Sequence, residues 1–271
     1  MYFFKPIKEY FQLIFEGEST KDKFILAAYF FKIPIRKLDK IFGCKVQHSL
    51  ISEVKIKNKQ GVFFCGKSIF GAWTASSFYE PHLRKYFELE KGTYIDVGAN
   101  IGKYSIILGK KLKEKGQVIA IEPEPKNFEI LNKNIKLNNL KNITPLNKGC
   151  FSKKGNLKFY LDSTGTGGHS LIKDTPVEKK GFIEIEVDTL DNIVKENKIK
   201  DIKLIKIDVE GVEADVLIGS KNTLKKYRPK IIFEAWDDKH FKKIKEVLAK
   251  YDYEYKKIGS QDYIAESSSS S

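Results

Sequence analysis

The sequence predicts an α/β fold: a mostly parallel sheet with helices on both faces, preceded by a helical and small β segment. Three observations carry this. From residue 93 onward, short apolar runs alternate with stretches of helical period, and strands separated by helices pair in parallel. The runs are nearly continuous in apolar residues ("VIAIE", "KLIKIDV", "KIIFE"), as in strands covered on both faces. The first run, "YIDVG", ends in a glycine turn that leads straight into a helical stretch, where open α/β sheets bind ligands.

Residues 1–43 are aromatic and helical in tendency, with Ser19 or Thr20 as cap and Pro34 as terminator of a second helix. Residues 50–70 switch to period two, and "NKQG" reads as a hairpin turn. "SSFYEPHLRKYFELEKG" reads as a helix with Pro81 in its first turn. Strands follow at "TYIDVG", "QVIAIEP", "ITPLNKGC", "LKFYL", "FIEIEVDTL", "DIKLIKIDV" and "PKIIFEAW". Helices are predicted at "KYSIILGKKLKEK", "PKNFEILNKNIKLNN", "EADVLIGSKNTLKKY" and "DKHFKKIKEVLAK", and "YEYKKI" and "DYIAE" close the chain. The predicted organisation is an N-terminal helical and hairpin segment over 1–90, an α/β domain over 91–265 and a disordered serine tail over 266–271.

The chain has 271 residues, 41% of them hydrophobic, enough for a real core. Cys44, Cys65 and Cys150 form no C-x-x-C pair, which excludes a disulfide framework and a structural zinc site. No apolar run reaches the length of a spanning helix and no signal-peptide layout opens the chain, so a cytoplasmic protein is expected. Peripheral membrane contact through the aromatic residues 1–34 is the alternative, and packing on a neighbouring domain or a second copy is the plainer one. The formal net charge of +14 is lysine spread along the whole chain. It permits an anionic partner without marking a groove for one.

In "YIDVGANIGKYS", Asp96 ends the strand, and Gly98 and Gly102 allow a tight turn and close approach of a ligand. A dinucleotide fingerprint fails at Asn100 and Lys103, and a P-loop fails for want of G-K-[ST]. The D-x-G-x-x-x-G loop of S-adenosylmethionine enzymes fits. Glu122 ends the second strand about 20 residues past Gly102, the spacing of a carboxylate that accepts both hydroxyls of a ribose. Capping the next helix, ahead of Pro123, is its structural alternative.

In these motifs the chain resembles the FkbM-type S-adenosylmethionine-dependent methyltransferases from about Phe78 to Trp236. The resemblance rests on "YEP" (79–81), "DVGANIG" (96–102), "IEP" (121–123), "LNKNIKLNN" (131–139), "VDTLD" (187–191), "KIDVEGVEADVL" (206–217) and "PKIIFE" (229–234). It implies a Rossmann-like class I methyltransferase domain, S-adenosylmethionine as cofactor, and methylation of a hydroxyl on a sugar, glycan-linked or other small-molecule acceptor. It also implies that Asp96, Gly98, Ala99, Asn100, Gly102, Glu122 and Pro123 hold the cofactor, with Cys150 bordering the adenine.

Transfer to a hydroxyl needs alignment and a proton acceptor. The candidates are Asp208 and Glu210, at the end of the fourth strand of the resemblance, and His169 in the glycine-rich "GTGGHSL". Each has a plainer reading: the two acids as caps of the helix near Val212, and His169 as a polar loop residue. No second cluster of oxygen ligands accompanies the acids, so no metal is predicted. Trp73, Tyr79 and Glu80 are placed as acceptor-binding residues or as packing of the junction. Two competing functions are methylation of RNA, which the charge permits but no recognition module supports, and a non-catalytic binding protein, which the intact loop argues against. The turn "DVEG" lacks the proline pair of enzymes that methylate base amines, and its second acid disfavours a phosphate-rich acceptor.

Overall fold

The computed structural model describes residues 7–30, 50–87, 89–162, 168–173 and 179–268. Strands β3 (Gly92–Val97), β4 (Gly116–Ile121), β5 (Ile143–Leu146), β9 (Leu204–Ile207), β10 (Lys230–Glu234), β11 (Tyr253–Lys257) and β12 (Asp262–Ser267) build one sheet in the order β11-β12-β10-β9-β3-β4-β5. Every pairing from β10 to β5 is parallel, and β12 is antiparallel to both of its neighbours. The strand order reverses beside β3, so its carboxyl end is the crevice in which such sheets bind ligands.

Alternation along the strands divides the core in two. Tyr94, Val118, Ala120, Leu204 and Ile232 face one layer, with α4 (Lys103–Leu112) and α5 (Pro125–Leu137). Ile95, Val97, Ile119, Ile205, Ile207 and Phe233 face the other, with α6 (Leu190–Glu196), α7 (Glu213–Ile218), α8 (Lys221–Tyr227) and α9 (Asp238–Leu248). The first layer also takes in Leu13, Leu26, Phe63 and Trp73, so the described N-terminal residues are packed on the α/β core.

That N-terminal layer holds α1 (Ile7–Phe15), α2 (residues 20–30), the hairpin β1 (Lys55–Asn58) and β2 (Gly61–Phe64), and α3 (Ile69–Ala75). Ser19 caps α2: its Oγ accepts from the Asp22 amide while Asp22 accepts from the Ser19 amide, a reciprocal cap. Pro34 lies outside the described residues. An isolated hairpin is marginal in water, and this one is fastened through the open edge of β2. Asn138 accepts from the Val62 amide and donates to its carbonyl, and Asn134, one turn earlier on α5, does the same for Phe64. Asn134 also donates to the Ile101 carbonyl at 2.8 Å, joining the hairpin to the loop after β3.

Several predicted elements change. The helix expected after Ser76 shortens to a 3-10 turn, Pro81–Tyr86, because Glu80 before it takes a left-handed conformation. The run 143–150 breaks into β5 and β6 (Gly149–Cys150), which lie in different sheets. β6, β7 (Gly155–Asp162) and β8 (Lys179–Asp188) form a separate three-stranded sheet in the order β6-β8-β7. The helix expected over 213–227 is two, α7 and α8, broken at Gly219, where a side chain would meet the Phe151 carbonyl at 2.2 Å. α3 and α6 were not anticipated. β12 runs through Ser267, and Ser268 donates to the Asp252 carbonyl, so the serine tail begins later than expected; 269–271 lie outside the described residues.

Candidate active site

At the carboxyl end of β3 the chain turns over Gly98. The amides of Gly98 and Ala99 both donate to the Ile121 carbonyl at the end of β4, and Asn100 takes a left-handed conformation at φ 51. The glycines serve the loop's own packing. At φ 81, a Cβ on Gly98 would lie 1.8 Å from the Asp208 carbonyl oxygen, and one on Gly102, at φ 90, 2.5 Å from Leu131. Gly98 therefore lets the end of β3 lie against the end of β9.

Glu122 stands beside this loop, nearly sealed from solvent. One carboxylate oxygen accepts from the Asn100 amide at 2.8 Å and the other from the Glu124 amide at 2.9 Å. Burial raises its pKa to about 7 against the lowering pull of those amides. Each oxygen retains a lone pair for a diol. The cap of α5 is Glu124, not Glu122: its carboxylate accepts from the Asn127 amide. The Pro123 and Glu122 carbonyls accept from Asn147. Cys150 lies in the apolar core with its thiol pushed up by burial, and a buried thiol of this kind serves packing.

Asp96 is 1% exposed. One oxygen accepts from the Ser105 hydroxyl at 2.6 Å, and the other, Oδ1, has no hydrogen-bond partner among the described residues. Burial raises its pKa, opposed by Lys206. Lys206 is its register partner on β9, and two side chains at one register position lie on the same face. The ammonium is 4% exposed, lies 2.8 Å from Asp208 Oδ2 and sits over the Tyr104 ring at 4.6 Å. Burial alone lowers a lysine, yet Asp208, Asp96 and Glu80 outweigh it and hold Lys206 protonated. Glu80 reaches this group from the N-terminal layer: it accepts from the Tyr104 hydroxyl, and burial raises its pKa.

The fourth strand of the resemblance is thus β9, and its end is an acid wall with a cation beneath it. Asp208 pairs with Lys206. Glu210 takes a left-handed conformation at φ 57, and its carbonyl accepts from Ser170 at 2.6 Å. The capping role expected of these two acids is not filled by a side chain. α7 starts at Val212 without a side-chain cap, and the amides of Val209 and Gly211 donate to Glu213, whose pKa burial raises to about 7. Glu234 ends β10, next to β9, and pairs in register with Asp262 of β12. Burial, then Asp208, Glu210, Asp262 and Glu213, push its pKa up to about 10.

The remaining candidates are placed as follows. His169 Nδ1 accepts from the Asp162 amide at 2.8 Å, and its ring packs 6.0 Å from Phe159 on the three-stranded sheet. Its neighbour Ser170 makes the contact to the Glu210 turn. Trp73 is 6% exposed and packs on Tyr10 and Phe78, which is the junction-packing reading rather than acceptor binding. The Tyr79 carbonyl accepts from Lys103 at 2.8 Å, with the ammonium 4.7 Å from the Tyr79 ring. Lys103, whose pKa burial lowers to about 7, also donates to the Ser76 carbonyl. It ties residues 76–79 to the loop after β3. A cavity of about 400 Å³ is bordered by Gly211, Glu213, Ile172, Tyr160, Lys158 and His240, and none of Asp96, Gly98 or Glu122 lines it.

Lys206, Glu234 and Glu213 were missed by sequence reasoning. The signal for Lys206 was there: a lysine flanked by isoleucines in a strand of core residues is buried, and a buried lysine is paired. Glu234 ends an apolar strand just as Asp208 follows one.

The site residues fit S-adenosylmethionine. The bare, buried Oδ1 of Asp96 suits an ammonium, and the Glu122 carboxylate beside the loop suits a ribose diol. An acid wall suits a sulfonium.

The FkbM methyltransferase domain matches residues 96–255, more than half of the chain. The chain is similar to methyltransferase sdnD of Sordaria araneosa, 26% identical over 171 residues, covering 53% of this chain and 66% of that one. It is also similar to hexuronic acid methyltransferase AglP of Haloferax volcanii, 30% identical over 129 residues, covering 48% and 50%. The chain thus spans less than two thirds of the length of either relative. Its fold is similar to the crystal structure of an FkbM methyltransferase from Methylobacillus flagellatus KT, with a TM-score of 0.51 at 15% identity over 96% of this chain and 58% of that one.

Proposed function

The chain belongs to the FkbM family of S-adenosylmethionine-dependent methyltransferases, and from that premise we propose that it methylates a hydroxyl of a sugar, glycan-linked or other small-molecule acceptor. The observation that carries the reading is the pairing of a bare buried Asp96 oxygen with an acid wall one strand away. When bound, S-adenosylmethionine supplies a methyl group on a positively charged sulfur, open to in-line attack by oxygen. Asp96 and Glu122 bind and orient the cofactor from either side of the Gly98 loop. Lys206 holds Asp208 in one position at the end of β9. The carboxylates of Asp208 and Glu210 hydrogen-bond and orient a hydroxyl acceptor, and one carboxyl of the wall takes its proton. His169 stands on the three-stranded sheet as the alternative base.

The wall also bears on the acceptor's chemistry. Asp208, Glu210, Glu234 and Asp262 outnumber the buried ammonium of Lys206 there, so a neutral polyol is favoured over a polyanion. This weighs against RNA despite the net charge of +14. The similarity to a hexuronic acid methyltransferase supports a sugar acceptor, and the wall favours attack through a hydroxyl.

Calorimetric titration with S-adenosylmethionine and transfer of a radiolabelled methyl group test the reading. Binding is expected in the micromolar range, with label passing to lipid-linked or free sugars and none to RNA. Asp208→Asn and Glu210→Gln are each expected to reduce transfer at least about tenfold with cofactor binding retained. Absence of cofactor binding would refute the reading.

A further inference from the structure

Glu234 carries no role in the sequence motifs taken one by one, yet the register of the sheet puts it at the chemistry. Ile232 of β10 pairs with Lys206 of β9, which pairs with Asp96 of β3. Side chains two residues on lie on the same face, so Asp208, Glu234 and, across the antiparallel pair, Asp262 form the next row toward the carboxyl ends. Glu234 is half-buried, and no hydrogen bond or ion pair reaches its carboxyl among the described residues. The charges around it are Asp208 from β9, Glu210 from the turn, Glu213 from α7 and Asp262 from β12. Lys206 is committed to Asp208, and His82 to Asp262 at 2.9 Å.

Carboxyls crowded in this way cannot all ionise, and one keeps a proton until a cation enters. Asp208 is fixed by Lys206, and Glu213 by the two amides it accepts from. Glu234 has neither. We propose that Glu234 is the proton-handling carboxyl of the acid row: protonated while the site lacks its cation, ionised when the cationic cofactor binds, and then the acceptor of the substrate's hydroxyl proton. The inference rests on the methyl-transfer reading above. In that step the O–H bond breaks to Glu234, the freed pair forms the O–C bond, and the C–S pair remains on sulfur. A base whose proton affinity is set by its neighbours and lowered by the incoming charge suits a hydroxyl better than the ammonium-bound Asp208.

Proton release on binding tests this without any acceptor. Titrations of S-adenosylmethionine and of S-adenosylhomocysteine, which lacks the sulfonium, are run at pH 7.5 in two buffers of different ionisation enthalpy. The expected result is a proton release larger for the methylated cofactor by about half a proton or more, with the difference lost in Glu234→Gln. Equal release for the two cofactors in the wild-type protein overturns the proposal, as does a difference that survives in Glu234→Gln. Failure of the wild type to bind either cofactor removes the methyltransferase reading itself, so the two failures are told apart. If Glu234→Gln does not fold, Glu210→Gln takes its place: a difference lost in that variant assigns the proton to the turn and overturns the proposal, and one that persists supports Glu234.

Discussion

On the cofactor side of the site, between β3 and β4, Glu122 has backbone amides on both oxygens, and the loop's glycines are filled by neighbouring atoms of the protein. On the acceptor side, past β9 and β10, carboxyls face one another around one buried ammonium. The first arrangement is finished before any ligand arrives. The second carries more carboxyls than the Lys206 ammonium can pair, and waits for a further cation. The contrast assigns the two halves different tasks: a rigid seat for a constant ligand, and a wall whose protonation follows the charge brought to it.

Removing Lys206 should break the acceptor side most severely. Lys206→Met leaves Asp96 and Asp208 buried or half-buried without their counter-charge, and the loss of one partner of such a pair costs about 3–5 kcal/mol. Urea denaturation measures it. The double variant Lys206→Met with Asp96→Asn should recover part of the loss, since it removes one stranded carboxylate. A loss below about 1 kcal/mol would mean that the acid row does not depend on this ammonium.

On the cofactor side the corresponding test is steric. Gly98→Ala places a Cβ 1.8 Å from the Asp208 carbonyl at φ 81. Backbone meets backbone there, so no side-chain rotation relieves it. The expected cost is at least about 2 kcal/mol, with cofactor binding weakened as the loop is displaced. Gly155→Ala, with nothing within 4 Å and no positive φ, is the control and should stay within about 0.5 kcal/mol. Similar melting temperatures for the two variants would show the Gly98 loop to be adaptable rather than rigid.

The parallel sheet was legible in the sequence because its strands are apolar on both faces and its helices keep period. Asp96, Gly98, Glu122 and Asp208 were legible because each stands where an apolar run stops. The breaks were not. The run 143–150 reads as one strand, yet β5 and β6 separate because β6 pairs with the end of β8, nearly forty residues away by chain. Such pairings are decided by tertiary contacts that local pattern does not carry. Glu80 was grouped with Trp73 and Tyr79 by adjacency alone. The structure separates them: Trp73 packs the junction, the Tyr79 carbonyl and ring meet Lys103, and Glu80 reaches Tyr104 and the charge of Lys206. Lys206 escaped notice because a lysine in a lysine-rich chain draws no attention until its burial is seen.

The smallest effect expected is the most diagnostic of the comparison, because both sides contribute to it with different pH ranges. Burial raises Glu122 and Glu213 from 4.5 to about 7, and burial with the surrounding acids raises Glu234 from 4.5 to about 10. Between pH 4.5 and 7 the folded protein keeps protons that the unfolded chain gives up. Stability therefore falls as pH rises through that window. Above pH 7 Glu234 continues this fall. Lys103 opposes it, since burial lowers its pKa from 10.5 to about 7 and the folded protein has lost a proton that the unfolded chain retains. The ligand-free protein should thus lose melting temperature from pH 5 to 7, by about 2–4 °C for each kcal/mol of this linkage, and level off above. Glu122→Gln should lessen the fall in the lower window alone. Glu234→Gln should lessen it too, but should also turn the plateau above pH 7 into a rise, because Lys103 then acts unopposed. Scanning calorimetry of the three proteins from pH 5 to 9 reads all of this. A melting temperature that climbs from pH 5 to 7 would show that the carboxyls of both sides are ionised in the free protein, and the distinction between a finished seat and a waiting wall would fail.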